Sequence, residues 1–468
     1  MNEDKYDCTF KGYKPDLISF LENPSPSPKE YYAEGAYQPL RACELYAATR
    51  MIEGIEDAVP LLHSPSGCAY FMKMFLNKHK LDYQCPSTAL DQNDIIFGSE
   101  DKLKNAIIEI DKQFKPALIA VIAGCVPLII GDNLDNVIEE VRNEIDAKYL
   151  IKVEAGGFKS HSQIKGYSKA LIEIINNVVQ PPGKEVKNTV NLFGEMYIDK
   201  PGLKKMFDAF GININLVFTA GSNIAQLERT AEANLNICRC ETMATDAVKH
   251  LEKLYGIPYY SGPMPYNLYS VNILMRYIGD LFNVREGVED YIREETKKIT
   301  PIVDKLKKKL AGKKAGIVGG PGRSITAIYL IKELDMELTF VNTYFGHDVF
   351  YKHLLDALET TGFNPEMWVD ADVNEYREMI VKKGCEIVVG DCIDFRFFED
   401  NNIMGIPYVP GPPGNLQTSI DMTGFEGHNL RLQQLLHRIN TNTLVSDNNM
   451  SCAFRMMAKS PGACHSAK

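Results

Sequence analysis

The chain of 468 residues lacks a surplus of positive charge: Lys and Arg number 51 against 61 Asp and Glu, a formal net charge of −10. A phosphate backbone or an anionic membrane surface would be repelled on average, which excludes nucleic-acid binding as the main activity. Long apolar runs are missing too. The stretch Leu254 to Met275 is uncharged until Arg276 apart from its polar residues, but Pro258, Pro263 and Pro265 interrupt it, and the greasier Pro116 to Gly131 is too short to span a bilayer. The start, Met1-Asn2-Glu3-Asp4, has no basic-then-apolar signal, so a cytoplasmic protein is expected. No Gly-x-x-x-x-Gly-Lys-Ser/Thr occurs, so any ATP chemistry must come from a partner. The 11 cysteines are odd in number and irregularly spaced, which argues against a disulfide framework and leaves buried thiols or metal ligands open.

What is present is ordinary globular material, 45% apolar and 24% charged, in a length that suggests about three domains. Pro24-Ser25-Pro26-Ser27-Pro28 reads as an extended arm, residues 1–32. Strand-like runs then alternate with helical ones: Lys115 to Ala123 and Leu150 to Glu154 as strands, Leu103 to Phe114 and Leu134 to Ile145 as helices. Such alternation predicts parallel α/β layers. Pro181-Pro182-Gly183 breaks the series, and a second begins with the strand Thr189 to Phe193 and includes a helix around Thr242 to Tyr255. A lysine-rich amphipathic helix over Asp290 to Leu310 precedes a third series that opens at Lys314. The expected domains are therefore 33–185, 186–310 and 311–440, with a tail over 441–468. That tail carries Cys452, Cys464 and His465, whose spacing matches no zinc signature.

Gly319-Gly320-Pro321-Gly322-Arg323 follows a strand and precedes a helix, where backbone N–H groups can hold an anion and Arg323 suits one. Its glycine spacing is not that of a dinucleotide fingerprint, and a tight strand-to-helix turn explains it equally well. Three cysteines stand where α/β chains present ligands. Cys68 lies after the run Ala58 to Leu62 and ahead of a helix, so N–H groups there should favour its thiolate. Cys125 follows the strand Leu118 to Ala123, and Cys43 lies where the chain enters a helix. Iron–sulfur clusters need thiolates on bendable backbone, which Gly67-Cys68 and Gly124-Cys125 provide. The plainer reading of each cysteine as a small core hydrophobe stands beside this.

The spacing Cys43-x24-Cys68-x56-Cys125, with His63-x3-Gly67-Cys68 and Cys125-Val126-Pro127-Leu128-Ile129-Ile130-Gly131-Asp132, resembles the bridging-cluster motif of the nitrogenase component 1 family. Ile96-Phe97-Gly98-Ser99, and Gly157 to His161 with its Ser160, resemble further segments of that family's first domain, and Ala233 to Cys240, Tyr255 to Pro258, Val318 to Gly320 and Gly405 to Pro407 follow in family order. The resemblance implies three Rossmann-like α/β domains with parallel sheets around a shared cleft. It implies an iron–sulfur cluster, 4Fe-4S or larger, on Cys43, Cys68 and Cys125, completed by a homologous subunit, and an ATP-dependent iron protein as electron donor. Cys240 falls where catalytic subunits bind a second cluster cofactor, with Gly320 and Arg323 expected near it; Cys238 is the weaker candidate. Asp391-Cys392 has no support from the family as a ligand. After Gly405-Ile406-Pro407 the chain reads Tyr408-Val409-Pro410-Gly411-Pro412-Pro413, with no histidine until His428 where the family's α subunit ligates molybdenum. Reduction of a substrate other than dinitrogen is therefore expected, with a scaffold for cofactor assembly as the alternative and a metal-free ligand-binding protein as the third reading.

Overall fold

The computed structural model describes residues 42–76, 85–157, 163–183, 186–194, 201–344, 346, 348–369, 371–390, 395–407 and 423–441. The expected arm over 1–32, Ser160, Asp391-Cys392, Pro412-Pro413 and the cysteines and histidine of the tail lie outside the described residues. Two compact units result, one holding the described parts of 41–200 and 204–261, the other those of 201–203 and 262–468.

In the first unit α1 (Glu44–Glu53) leads to β1 (Ala58–His63), followed by α2 (Ser66–Leu76), α3 (Gln92–Phe97) and α4 (Glu100–Phe114). Next come β2 (Leu118–Ala123), α5 (Cys125–Ile130), α6 (Leu134–Val141), β3 (Tyr149–Glu154) and α7 (Gln163–Asn177). The six residues of β2 are all buried, as suits a central parallel strand covered on both faces. Acidic Glu100 and Asp101 start α4, Lys112 falls in its last turn, and its buried Leu103, Ile107, Ile110 and Asp111 share one face. Leu103, Ile107, Leu134, Val137 and Val141 close on Leu61, Ile119 and Val121 as one core. The Asp111 carboxylate accepts from the N–H groups of Asp146 (2.9 Å) and Ala147 (2.8 Å), fixing the approach to β3.

This sheet runs β1-β2-β3, all parallel, from Ala58 opposite Leu118 to His63 opposite Ala123. On the free side of β1, Ser87 and Leu90 make isolated parallel bridges to Leu62 and Pro65. The chain therefore visits one flank of β1 and returns to the other, so its direction of winding reverses between β1 and β2.

The second sheet, also parallel, has the order β5-β4-β6-β7, made by β4 (Thr189–Phe193), β5 (Asn213–Phe218), β6 (Leu235–Cys238) and β7 (Tyr259–Ser261). Helices α8 (Pro201–Asp208), α9 (Ile224–Glu228) and α10 (Glu241–Tyr255) connect these strands. Winding reverses here between β4 and β6. Helix α7 packs on both α1 and α10. Its approach to α1 depends on Gly166, where a Cβ would come within 2.2 Å of the Glu44 carbonyl oxygen.

In the second unit α11 (Leu268–Leu281), α12 (Arg285–Leu310) and α17 (Gly424–Thr441) pack together. The lysine-rich helix thus begins five residues before the expected Asp290, and it buries Val288, Ile292, Ile299, Val303, Leu306 and Leu310 on one stripe. The third sheet is parallel in the order β10-β9-β8-β11-β12: β8 (Lys314–Gly319), β9 (Glu337–Thr343), β10 (Glu366–Val369), β11 (Ile387–Gly390) and β12 (Met404–Pro407). Its connecting helices are α13 (Pro321–Glu333), α14 (Asp348–Thr361), α15 (Val373–Lys382) and α16 (Phe395–Asp400). The reversal lies between β8 and β11. Several parallel sheets flanked by helices make the expected α/β architecture. Among the described residues no helix is long and apolar enough to cross a membrane.

Candidate functional site

A parallel sheet opens a crevice at the carboxyl ends of the two strands where winding reverses, because the flanking connections leave in opposite directions there. In the first sheet those ends are His63 of β1 and Ala123 of β2, joined by a hydrogen bond from the Gly124 N–H to the His63 carbonyl (3.0 Å). Cys125 is the first residue of α5, directly after Gly124, and Cys68 is the third residue of α2, just beyond β1. Cys43 occupies the N-cap of α1. The turn after β3 draws it in: a Cβ on Gly157 would lie 3.2 Å from the Cys43 Cβ, and one on Gly156 would lie 3.9 Å from the Cys125 Cα. Consecutive glycines thus let one turn touch two cysteine-bearing helix starts.

All three cysteines are partly exposed and free. Burial, with Cys125 adding to it, pushes the Cys43 thiol above its usual range. Cys68 is pushed up the same way, by burial first and then by Cys43 and Cys125. Cys125 is therefore close enough to oppose the ionisation of Cys43 and Cys68, and Cys43 to oppose that of Cys68. This corrects the expectation that the start of a helix would favour a charged Cys68: desolvation and like-charge neighbours outweigh the helix N–H groups. Among the described residues no three His, Cys, Asp or Glu side chains are gathered tightly enough to grip a single metal ion.

Behind the cysteines lies a polar cluster that the residue patterns did not announce. The His63 ring is fully buried, its Nδ1 3.1 Å from Thr88 Oγ1 and its Nε2 3.2 Å from both Asp132 Oδ2 and Ser99 Oγ. The Ser99 hydroxyl donates to the same carboxylate oxygen, and the Ser99 N–H donates to Asp132 Oδ1 (3.3 Å). Burial pushes the imidazole below its ordinary range despite Asp132, which pulls the other way. Serine, histidine and aspartate here do not form a hydrolytic triad. Asp132 and Ser99 share one ring nitrogen, whereas a triad places the carboxylate on the opposite one, and Ser99 is 1% exposed. Each of the three stands inside a motif quoted for other residues, which was the only sequence signal for them.

The second sheet places Cys240 at its own reversal. It is the buried N-cap of α10, two residues beyond Cys238, which pairs with Phe193 of β4. Gly194 follows Phe193 with φ +80°, and a Cβ there would stand 2.8 Å from the Cys240 nitrogen. Cys238 points elsewhere: its thiol lies 3.5 Å from the Cys240 carbonyl oxygen and 3.9 Å from Thr245 Oγ1, and burial drives it well up. Next to Cys240, Glu241 is 3% exposed. Burial pushes its carboxyl up to about 7 against its own backbone N–H, and among the described residues no other donor answers either oxygen.

Gly320 is the N-cap of α13, with Arg323 in the first turn, at the carboxyl end of β8. That is the reversal point of the third sheet. Cys43, Cys68 and Cys125 are thus brought together, Cys240 belongs to the other sheet of the same unit, and Gly320 and Arg323 belong to the second unit.

Sheets of this kind, with thiols at the first two reversals and a glycine at each of the three, define a parallel α/β protein of the class that gathers ligands at strand carboxyl ends. Comparison narrows the class to a family. The profile of the nitrogenase component 1 type oxidoreductases matches residues 43–440, and the chain belongs to that family. It is 31% identical over 376 residues to the nitrogenase molybdenum-iron protein alpha chain of Methanothermobacter thermautotrophicus, covering 75% of this chain and 78% of the relative. It is 26% identical over 412 residues to the nitrogenase iron-molybdenum cofactor biosynthesis protein NifE of Methanosarcina barkeri, covering 83% and 86%. Among solved structures, nitrogenase Cp1 at pH 6.5 superposes with a TM-score of 0.71 at 20% identity, over 91% of this chain and 92% of the other, a likeness of fold.

Proposed function

We propose that the protein is a nitrogenase-like iron–sulfur oxidoreductase subunit that receives electrons from an ATP-dependent iron protein and reduces a substrate other than dinitrogen. The observation that carries this reading is the convergence of Cys43, Cys68 and Cys125 on the reversal point of the first sheet, where burial first, and then the neighbouring thiols, hold Cys43 and Cys68 against ionisation. The donor set fits an iron–sulfur cluster, 4Fe-4S or larger: three soft sulfurs whose mutual repulsion a cationic centre relieves on binding. Such a cluster would supply one-electron chemistry that side chains cannot. The chain's own part is to place the sulfurs on helix starts and bury them partly.

A homologous subunit is the partner this reading requires. Its support is a set of exposed apolar side chains on the helices beside the cysteines: Tyr70 (69% exposed), Ile96 (70%), Phe97 (83%) and Ile129 (67%). Cys240 would serve a second cofactor, which its thiol at the reversal of the second sheet supports, and Gly320 and Arg323, at the reversal of the third, would serve an anionic group. A cytoplasmic location and domain boundaries near 185 and 311 belong to the same reading; β4 starting at Thr189 and β8 at Lys314 support the boundaries.

The alternative is a scaffold on which a nitrogenase-type cofactor is assembled. It is favoured by the missing histidine after Pro407 and by the likeness to the NifE protein. Iron and acid-labile sulfide per chain, measured on protein purified without oxygen beside a Cys68→Ala variant, test the shared proposal. Iron lost in the variant is the expected result, and no iron above background in the unaltered chain would refute it. Turnover with an iron protein and ATP then separates a reductase from a scaffold, which would instead release cluster to an acceptor protein.

A further inference from the structure

The cluster formed by His63, Ser99, Asp132 and Thr88 ties together four stretches of chain far apart in sequence, and two of them carry cysteines. His63 ends β1, five residues before Cys68; Asp132 follows α5, which Cys125 begins. Ser99 precedes α4, and Thr88 lies on the segment that bridges to the outer side of β1. The bonds continue into the backbone of the cysteine loops. The Ser64 N–H donates to Thr88 Oγ1 (3.3 Å), the Leu90 N–H to the Ser64 carbonyl (3.1 Å), and the Gly124 N–H to the His63 carbonyl (3.0 Å).

Burial makes the arrangement specific. The side chains of His63 and Asp132 are 0% and 4% exposed, so every polar atom must find a partner inside the protein. A carboxylate only accepts, so His63 Nε2 carries the proton that bonds to Asp132, and Nδ1 is left to accept from the Thr88 hydroxyl. Asp132 Oδ2 then receives two donors and Oδ1 receives the Ser99 N–H. Neither oxygen could be exchanged for an amide NH2 without setting donor against donor.

We propose that His63, Ser99 and Asp132 form a buried clamp that sets the separation of Cys68 and Cys125. The proposal rests on the reading of these two cysteines as ligands of one bound group, and it gives the three polar residues a positioning role without contact to that group. Cys43 enters from α1 and lies beside Gly157, outside the clamp.

The test is the alkylation rate of each cysteine, read by mass spectrometry on the full chain as purified, in Asp132→Asn and, as a gentler change, Ser99→Ala. Loss of one buried hydrogen-bond set should speed alkylation of Cys68 and Cys125 on the order of ten-fold, while Cys43 and Cys240 keep their rates. All four rates unchanged, or all rising together as general loosening would cause, overturns the clamp. His63→Gln, which retains a donor towards Asp132, should restore part of the protection relative to His63→Ala. Iron content and the electron paramagnetic resonance spectrum of the same samples keep the two readings apart. Absence of iron from the unaltered chain defeats the iron–sulfur reading, while selective alkylation still decides the clamp. With iron present, the variants should show an altered spectrum at unchanged circular dichroism.

Discussion

Glu241 offers a test of the site's electrostatics that needs no knowledge of substrate. Its carboxyl is buried without a side-chain partner among the described residues, and its folded value of about 7 stands above the ordinary 4.5. Below the unfolded value both states hold the proton and no penalty exists. As pH rises from there, the unfolded chain releases its proton while the folded chain keeps it, so stability falls until the folded value is passed. Above that the loss is constant, at about 3 kcal/mol. Glu241→Gln preserves shape and removes the titration. The variant should match the unaltered chain near the lower end of this window and exceed it by about 3 kcal/mol at about pH 8. Urea unfolding under reducing conditions, followed by circular dichroism and by exchange of the α10 amides, measures the difference. A gap independent of pH would refute the reasoning, since it would mean that the carboxyl meets a charge or donor that already stabilises its ionised form.

Three further outcomes follow from the packing. Gly166→Ala should cost about 3 kcal/mol or more, because its Cβ meets Glu44 backbone at 2.2 Å and no rotamer can relieve it; thermal melting shows it. Gly194→Ala combines a left-handed backbone with a 2.8 Å approach to the Cys240 nitrogen, so Cys240 should become more accessible to a thiol reagent while Cys43 stays unchanged. Ile107→Ala empties the fully buried centre of the first core and should lower unfolding free energy by about 2 to 5 kcal/mol, measured by urea titration.

The parts of the fold legible in the sequence are those that local periodicity determines. The run Leu118 to Ala123 could be read as a buried strand because both of its faces are covered, and it begins three residues after the expected Lys115, past Pro116, which cannot donate to a ladder. The helix expected over Leu134 to Ile145 ends as an α-helix at Val141 and tightens into a 3-10 turn over Arg142–Glu144, since the buried stripe stops at Val141. Strand order is another matter. Nothing local in Ser87 to Leu90 marks it as the outer neighbour of β1, yet those two bridges are what move the reversal point to the gap between β1 and β2. The grouping of Cys43, Cys68 and Cys125 was open to expectation from their places at strand ends and helix starts, but three thiols separated by 24 and 56 residues have no local reason to meet, and resemblance added the motif that joins them.

His63, Ser99 and Asp132 stayed unseen for the same cause: hydrogen bonds between residues 33, 36 and 69 positions apart leave no periodic trace, and each residue taken alone suits a loop. Cys68 shows the converse error. A helix was expected just beyond it, but that helix starts at Ser66 and includes Cys68, and the sign of the thiol's pKa shift is set by burial first and then by Cys43 and Cys125, which only the fold supplies. Both cases point to one physical feature. A parallel sheet brings distant segments to a common edge where its winding reverses, so the residues that act together in this chain are joined by topology while the sequence joins each of them only to its own strand and helix. Cys240 at the β4–β6 reversal and Gly320 at the β8–β11 reversal follow the same rule. Substitutions that disturb a reversal point, such as Gly194→Ala, should therefore alter thiol chemistry out of proportion to their effect on stability, whereas core substitutions such as Ile107→Ala should do the opposite.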